Sequence, residues 1–305
     1  MNRKDFASLL LLAMTWGASF LFMRIASPEL GPVFTTELRV SLAAAALLLY
    51  AALTKRPLEI WKHWKPFLLL GAINAALPFT LICIAELELS ASLAAILNAT
   101  TPMFTALAAW GVQQEKPGAA RMVGLIAGLG GVAVLVGFSP VPLEGTVVLS
   151  VLASLGAALS YSFGGLYAAR VGRGLEPLAL AAGQQLGAAA ALLPLAVFFL
   201  PHALPSAATV FSVLGLALLC TSAAYLLYFR LMRSVGPVKT VSVTFLVPVF
   251  GLLWGALFLQ ERIYANTVAG LVIILLSVGL VNRKPRREAS GRLDEAQNAG
   301  YKARR

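Results

Sequence analysis

Asn74, Asn98, Gln184 and Gln185 are amides set within long apolar stretches. An amide has four hydrogen-bonding positions. In hydrocarbon such a group is costly unless it faces the interior of a helix bundle or water. Other polar side chains recur near them at helical spacing, which puts them on shared faces. Asn98, Thr101 and Thr105 form one stripe beside Pro102, and Thr221, Tyr225 and Tyr228 form a second. Thr240, Thr244 and Pro248 form a third. The chemistry on offer is reversible hydrogen bonding to a small polar solute. Ser, Thr and Asn also glue membrane helices together, so for each stripe solute contact and packing are both open.

Bond-making chemistry has no comparable set of residues. No paired carboxylates or His-containing cluster stand at membrane depth. His63 and His202 fall on opposite sides of the membrane and cannot share one metal. No Walker-type phosphate loop occurs, which excludes direct use of ATP, and neither a cofactor nor a metal is expected. Cys83 and Cys220 read as small buried side chains.

Two charges do stand inside an apolar stretch, Glu37 and Arg39. Two residues apart on a helix, they do not face each other, so each needs a partner elsewhere. Glu37 is a candidate for titration in a proton-coupled cycle. Pro102 and Pro248 free backbone carbonyls and read either as paired bending hinges or as static kinks.

These residues sit in a chain that is 59% hydrophobic and 12% charged, with mean hydropathy +0.83. A bilayer core of about 30 Å needs ~20 apolar residues per helix. Ten such stretches run near 6–26, 33–53, 66–85, 90–112, 118–138, 146–169, 177–200, 209–231, 239–259 and 264–282. They lack the apolar and polar alternation of a lipid-facing barrel, so the fold predicted is an all-α membrane protein. The first stretch is too long for a signal-peptide core and is taken as helix 1.

The net charge of +11 is not gathered into a nucleic-acid-binding face. Instead it alternates with the spans. A cytoplasmic N-terminus places Arg3 and Lys4 inside, with Lys55, Arg56, Lys62, Lys65, Lys116, Arg121, Arg170, Arg173, Arg230, Arg233 and Lys239, and leaves only Arg24 and Arg262 at outer ends. The positive-inside rule selects that orientation, with both termini cytoplasmic. The basic loops suit anionic lipid headgroups.

Pro102, Glu115 and Gly124 return 146 positions later as Pro248, Glu261 and Gly270, so the chain reads as two repeats, 1–145 and 146–287, followed by a polar tail at 288–305. Five helices per repeat is an odd number, so the halves are inverted relative to each other. Inverted repeats place a substrate site at their interface near the midplane. The same displacement pairs helix 3 with helix 8 and brings Asn74 and Phe79 to the depth of Thr221 and Tyr225. Asn74 and Phe79 are five apart, and cannot both point straight into one pocket. Trp16, Phe20 and Tyr161 would add aromatic walls.

Pro248-Val-Phe-Gly followed by Leu259-Gln-Glu261-Arg262, Trp16-Gly17-Ala-Ser-Phe20, and Ser160-Tyr161-Ser162-Phe163 with Arg170 resemble the EamA branch of the drug/metabolite transporter superfamily. The resemblance spans about residues 5–285 and is strongest to the YddG-type amino-acid and metabolite exporters. It implies ten helices around a central cavity and export of small metabolites, with helices 5 and 10 away from that cavity. Arg39 matches an arginine common in the family's second helix, which implies a structural or gating role rather than substrate binding. The small multidrug relatives carry a membrane-embedded Glu in helix 1, and here that helix has none.

The reading is a facilitative exporter of neutral or aromatic amino acids in a bacterial inner membrane. Its expected contacts are Trp16, Phe20, Asn74, Phe79, Asn98, Thr101, Tyr161, Gln184, Gln185, Thr221, Tyr225 and Thr244. Glu37, Arg39, Pro102 and Pro248 would serve gating. The rival is a proton-coupled drug antiporter that uses Glu37.

Overall fold

A computed structural model describes residues 3–113, 119–138, 144–201, 203–235, 240 and 242–281. The Glu115-Lys116 corner, His202, Lys239 and the polar tail lie outside them. Every regular element among the described residues is helical.

The first hairpin is α1 (Arg3–Leu30) and α2 (Pro32–Leu53). Gly31 joins them at φ 74°, a left-handed value that favours glycine, and Pro32 opens α2 with its φ already helical. Next come α3 (Trp64–Gly71) and α4 (Leu77–Glu88), continuous through a π-helical turn at Ala72–Ala76. Then follow α5 (Ala91–Asn98), α6 (Thr101–Gln113), α7 (Ala119–Gly137), α8 (Gly145–Val171) and α9 (Pro177–Ala196). α10 (Ala207–Leu214) and α11 (Ala224–Val235) are again one path, through a π-helical segment at Gly215–Ala223. α12 (Val243–Phe258) and α13 (Ala265–Val281) complete the described fold.

Seven helical paths are long and apolar enough to cross a membrane: Arg3–Leu30, Pro32–Leu53, Ile60–Glu88, Ala91–Ala109, Gly145–Val171, Pro177–Phe199 and Ala207–Met232. Three shorter apolar helices accompany them, Arg121–Gly137, Val243–Phe258 and Ala265–Val281. Large apolar side chains point outward around the bundle, among them Leu49, Leu129, Phe198 and Leu257. Such a surface is stable only against lipid, and the chain is a multi-pass membrane protein.

Contacts between distant residues order the bundle. Ser234 at the end of α11 donates to Asp5 at the start of α1, 2.7 Å. Arg56 beyond α2 pairs with Glu176 before α9 at 3.9 Å. These contacts define a basic face. At the opposite face the Ser206 amide, which precedes α10, donates to Glu29 near the end of α1, 2.8 Å. α1 packs on α12, α2 and α3 on α9, and α4 and α6 on α8.

α3 and α9 touch backbone to backbone. A Cβ at Gly71 would collide with Gln184 O and Ala188 N, and one at Gly187 with the Phe67 carbonyl. α7 and α13 run antiparallel in close contact: a Cβ at Gly124 would stand 2.8 Å from Val281, at Gly131 2.9 Å from Ile274, and at Gly270 2.8 Å from Leu135. Small residues allow such approaches where apolar burial gives no drive between helices.

The two prolines differ. Pro102 lies in the first turn of α6, after a break at Ala99 and Thr100. Its ring would clash with the carbonyl of Asn98, where α5 ends. Thr100 closes the gap with its N–H and Oγ1 on Leu97 O, at 3.1 and 2.6 Å. Pro248 sits inside the unbroken α12. The expected pair of bends is therefore one break and one continuous helix.

Candidate functional site

The amide of Asn74 donates to Gln184 Oε1 at 2.8 Å, and Gln184 Nε2 donates to the Tyr225 hydroxyl at 2.8 Å. Three side chains from α9 and the two π-containing paths thus form one hydrogen-bonded chain. Trp16 meets Tyr225 edge-on at 6.5 Å between ring centroids and Tyr228 at 5.5 Å. Phe79 meets Tyr161 edge-on at 6.1 Å. The Arg39 guanidinium lies over the Phe79 ring, 3.6 Å from its centroid, and its Nε donates to Thr221 Oγ1 at 3.0 Å.

The π-helical turn alters the expectation for Asn74 and Phe79. A π turn takes an extra residue, so residues five apart are brought back toward one side of the helix. Both then meet α8. Asn74 fills the space over Gly164, and Phe79 packs on Tyr161, one turn away. The second π segment is held by side chains. Thr221 Oγ1 donates to Leu216 O at 2.8 Å and Ser222 Oγ to Ala217 O at 2.9 Å, each five residues back.

Burial varies among the side chains around the Gln184 chain. Trp16, Asn74, Tyr161, Tyr225 and Tyr228 are half-buried. Farther from the basic face, Phe20, Met23, Arg39, Phe79, Ile82, Cys83 and Glu86 are all buried, and so are Leu9, Leu12, Leu47, Phe67 and Leu231 nearer to it.

The remaining expected residues have other surroundings. Phe20 packs in the core with Val243 and Val247. Thr101 spends its hydroxyl on Asn98 O, 2.7 Å, and its carbonyl accepts from Thr105 and Ser162, both 2.9 Å. That stripe joins α6 to α8. Asn98 is half-buried, and its Oδ1 has no hydrogen-bond partner among the described residues. Gln185 is fully buried with both amide atoms unpartnered there. Glu37 accepts from Ser41 at 2.6 Å through Oε1, and its buried Oε2 has no partner there. Thr244 is half-buried in the first turn of α12. An apolar crevice of about 40 Å³ lies away from the Gln184 chain, lined by Met103, Phe104, Leu107, Leu125, Leu129 and Leu155 among others. It is too small and too apolar for a polar solute.

Glu86 was not legible as an interior group, because hydropathy ends that span one residue earlier. It is fully buried, and neither carboxylate oxygen has a hydrogen-bond partner among the described residues. Arg24, one of the charges acting on it, gives its Nη1 to the Glu86 and Leu87 carbonyls. The repeated corner residue Glu261 reaches α5 instead, accepting Ala91 N at 2.7 Å, Ser92 N at 3.0 Å and the Ser92 hydroxyl.

Known proteins resemble this chain over nearly its whole length. The profile of the EamA-like transporter family matches twice, at residues 6–137 and 148–283. The uncharacterized transporter YvbV of Bacillus subtilis is 26% identical over 277 residues, covering 90% of each chain. A protein of Escherichia coli named probable amino-acid metabolite efflux pump is 26% identical over 293 residues, covering 90% of this chain and 93% of that one. The uncharacterized inner membrane transporter YedA of the same species is 27% identical over 283 residues, with 90% of each chain covered. A protein of known crystal structure shares the fold, with a TM-score of 0.64 at 17% identity, covering 95% of this chain and 100% of that one. The chain is a membrane transporter and belongs to the EamA-like transporter family.

Proposed function

We propose that the protein exports neutral, including aromatic, amino acids and similar small metabolites across a bacterial inner membrane, by alternating access and down their gradients. The observation that carries this reading is the Asn74–Gln184–Tyr225 chain flanked by Trp16, Tyr161 and Phe79. Amides and a phenol supply hydrogen bonds to a polar backbone, and aromatic faces suit an apolar or aromatic side chain. The relative named as an amino-acid metabolite efflux pump supports the same class.

The architecture that goes with it has ten spans in two inverted repeats, 1–145 and 146–287, around a central cavity with both termini in the cytoplasm. Three findings support it. The π segments Ala72–Ala76 and Gly215–Ala223 stand at repeat-related positions. Each half of the chain matches the family profile once. The α7–α13 contact also maps onto itself, because Gly124 on Val281 and Gly270 on Leu135 are the same contact displaced by 146 positions in opposite senses. A two-fold relation between the halves produces that pattern, and the antiparallel run of α7 and α13 fits an inversion. The basic face then lies in the cytoplasm, where it can hold anionic lipid. Pro102, at the break between α5 and α6, is the better-placed hinge, and Pro248 bends within α12.

Liposomes reconstituted with the protein and loaded with labelled amino acids test the reading. Efflux of neutral amino acids without a pH gradient is expected. Movement of cationic dyes with no amino-acid flux would overturn it. Oε2 of Glu37, unpartnered among the described residues, supports a second reading, a proton-coupled antiporter. In that case flux follows an imposed pH gradient and Glu37→Gln abolishes the dependence.

A further inference from the structure

Arg39 is a buried cation that makes no ion pair among the described residues. It is 4% exposed, on the second helix of the bundle. Its Nε donates to Thr221 Oγ1 at 3.0 Å and its Nη1 to Met23 Sδ at 3.4 Å. Both partners are neutral, and a thioether is a weak acceptor. Nη2 makes no hydrogen bond among the described residues. The ion pairs among those residues, Arg56 with Glu176 and Glu59 with Lys62 and His63, leave Arg39 out. Glu37 lies on a different face of α2 and bonds Ser41. Glu86 acts on Arg39 only through space and shares no hydrogen bond with it.

A guanidinium presents five N–H donors in a planar fork that matches a carboxylate. Withdrawing it from water into a membrane protein without an anion is costly. The surroundings say where an anion would come from. Thr221, which holds Nε, is one turn from Tyr225 on the same path, and Phe79, which the guanidinium covers, meets Tyr161 edge-on. The free edge of the fork therefore belongs to the layer just beyond the Asn74–Gln184–Tyr225 chain. One cation neutralises a monocarboxylate, whereas a phosphate dianion would keep a buried negative charge. The other arginine in this part of the bundle, Arg24, is engaged with the Glu86 and Leu87 carbonyls.

We propose that Arg39 binds the carboxylate of the transported solute through the guanidinium edge that Thr221 and Met23 leave unused. This rests on the amino-acid exporter reading and sharpens it. The solute carries an α-carboxylate, its ammonium lies against the aromatic faces of Trp16, Tyr161 or Tyr225, and its side chain points toward the basic face.

The test is binding of phenylalanine, phenylalanine amide and phenethylamine to the detergent-purified full chain, by calorimetry at fixed salt. Phenylalanine is expected to bind at least tenfold more tightly than the two analogues that lack the carboxylate. Arg39→Gln should bring the three within about threefold, and Arg39→Lys should keep part of the preference. If Arg39→Gln does not fold, the wild-type ratio of acid to amide decides alone. Equal binding of acid and amide by the wild type, or a tenfold preference that survives Arg39→Gln, overturns the assignment and leaves the exporter reading standing. If none of the three binds and liposomes show no amino-acid flux, both fall.

Discussion

Glu261 accepts the backbone N–H of Ser92 at 3.0 Å and that of Ala91 at 2.7 Å, so a carboxylate from the link between α12 and α13 caps the start of α5. The first N–H groups of a helix have no partner within it, and a negative charge there is favoured by the helix dipole. Glu261→Ala should lower stability by about 1–2 kcal/mol, the usual cost of losing such a cap. Thermal unfolding in detergent measures it. An unchanged melting temperature would mean that water or another group replaces the carboxylate at no cost.

Gln184 is the middle of the Asn74–Gln184–Tyr225 hydrogen-bond chain, so Gln184→Leu breaks both bonds at once with little change in volume. Hydrogen bonds between membrane helices average only ~0.6 kcal/mol, and unfolding should barely shift. Flux of neutral amino acids in liposomes should fall at least tenfold. A variant that transports normally would place the Asn74–Gln184–Tyr225 chain among packing contacts.

The α3–α9 contact leaves no room for a side chain at Gly187, where a Cβ would meet the Phe67 carbonyl. Gly187→Val should destabilise by about 1–3 kcal/mol, as overpacking does. Gly130, on α7, has nothing within 4 Å of an added Cβ. Gly130→Ala should therefore be neutral, or stabilise by roughly 0.5–1 kcal/mol through helix propensity. The melting temperature should fall for Gly187→Val and hold or rise for Gly130→Ala.

Glu86 is buried without a hydrogen bond to its carboxylate among the described residues. An uncompensated buried charge costs more than a neutral amide of the same shape. Glu86→Gln should match or exceed the wild type in stability. A loss above ~1 kcal/mol would instead mark Glu86 as a working counter-ion of Arg24, since breaking a buried pair is strongly destabilising.

Asn74, Gln184 and Tyr225 were legible as inward-facing because a polar group in an apolar helix is costly against lipid and helical spacing gives its face; an aromatic ring alone decides nothing, since Phe163, Phe198 and Phe211 point outward. The choice between Gln184 and Gln185 was not legible. Both amides sit inside the bundle, and only the backbone's rotation gives Gln184 the bonds to Asn74 and Tyr225. For Thr101, spacing gives the face but not the bond of its hydroxyl to Asn98 O one turn back, a local bond always available to Thr. Glu86 was lost to an arbitrary span boundary. Pro102 and Pro248 look identical in the repeat, yet only the first coincides with a break, because Thr100 supplies an alternative closure for the interrupted turn.

The segment Gly215–Ala223 has a consequence for how such a chain tolerates length changes. A surplus residue in a regular α-helix would rotate everything after it by about 100°, since an α-helix has 3.6 residues per turn, and a wider π turn takes that residue up instead. Removing one lipid-facing residue there, such as Leu218, would let the backbone relax to regular i→i+4 bonding. Thermal unfolding should then show a helix at least as stable, with Tyr225 still opposite Gln184. The segment acts as slack in the chain, a place where one residue can be lost without turning the side chains that follow it.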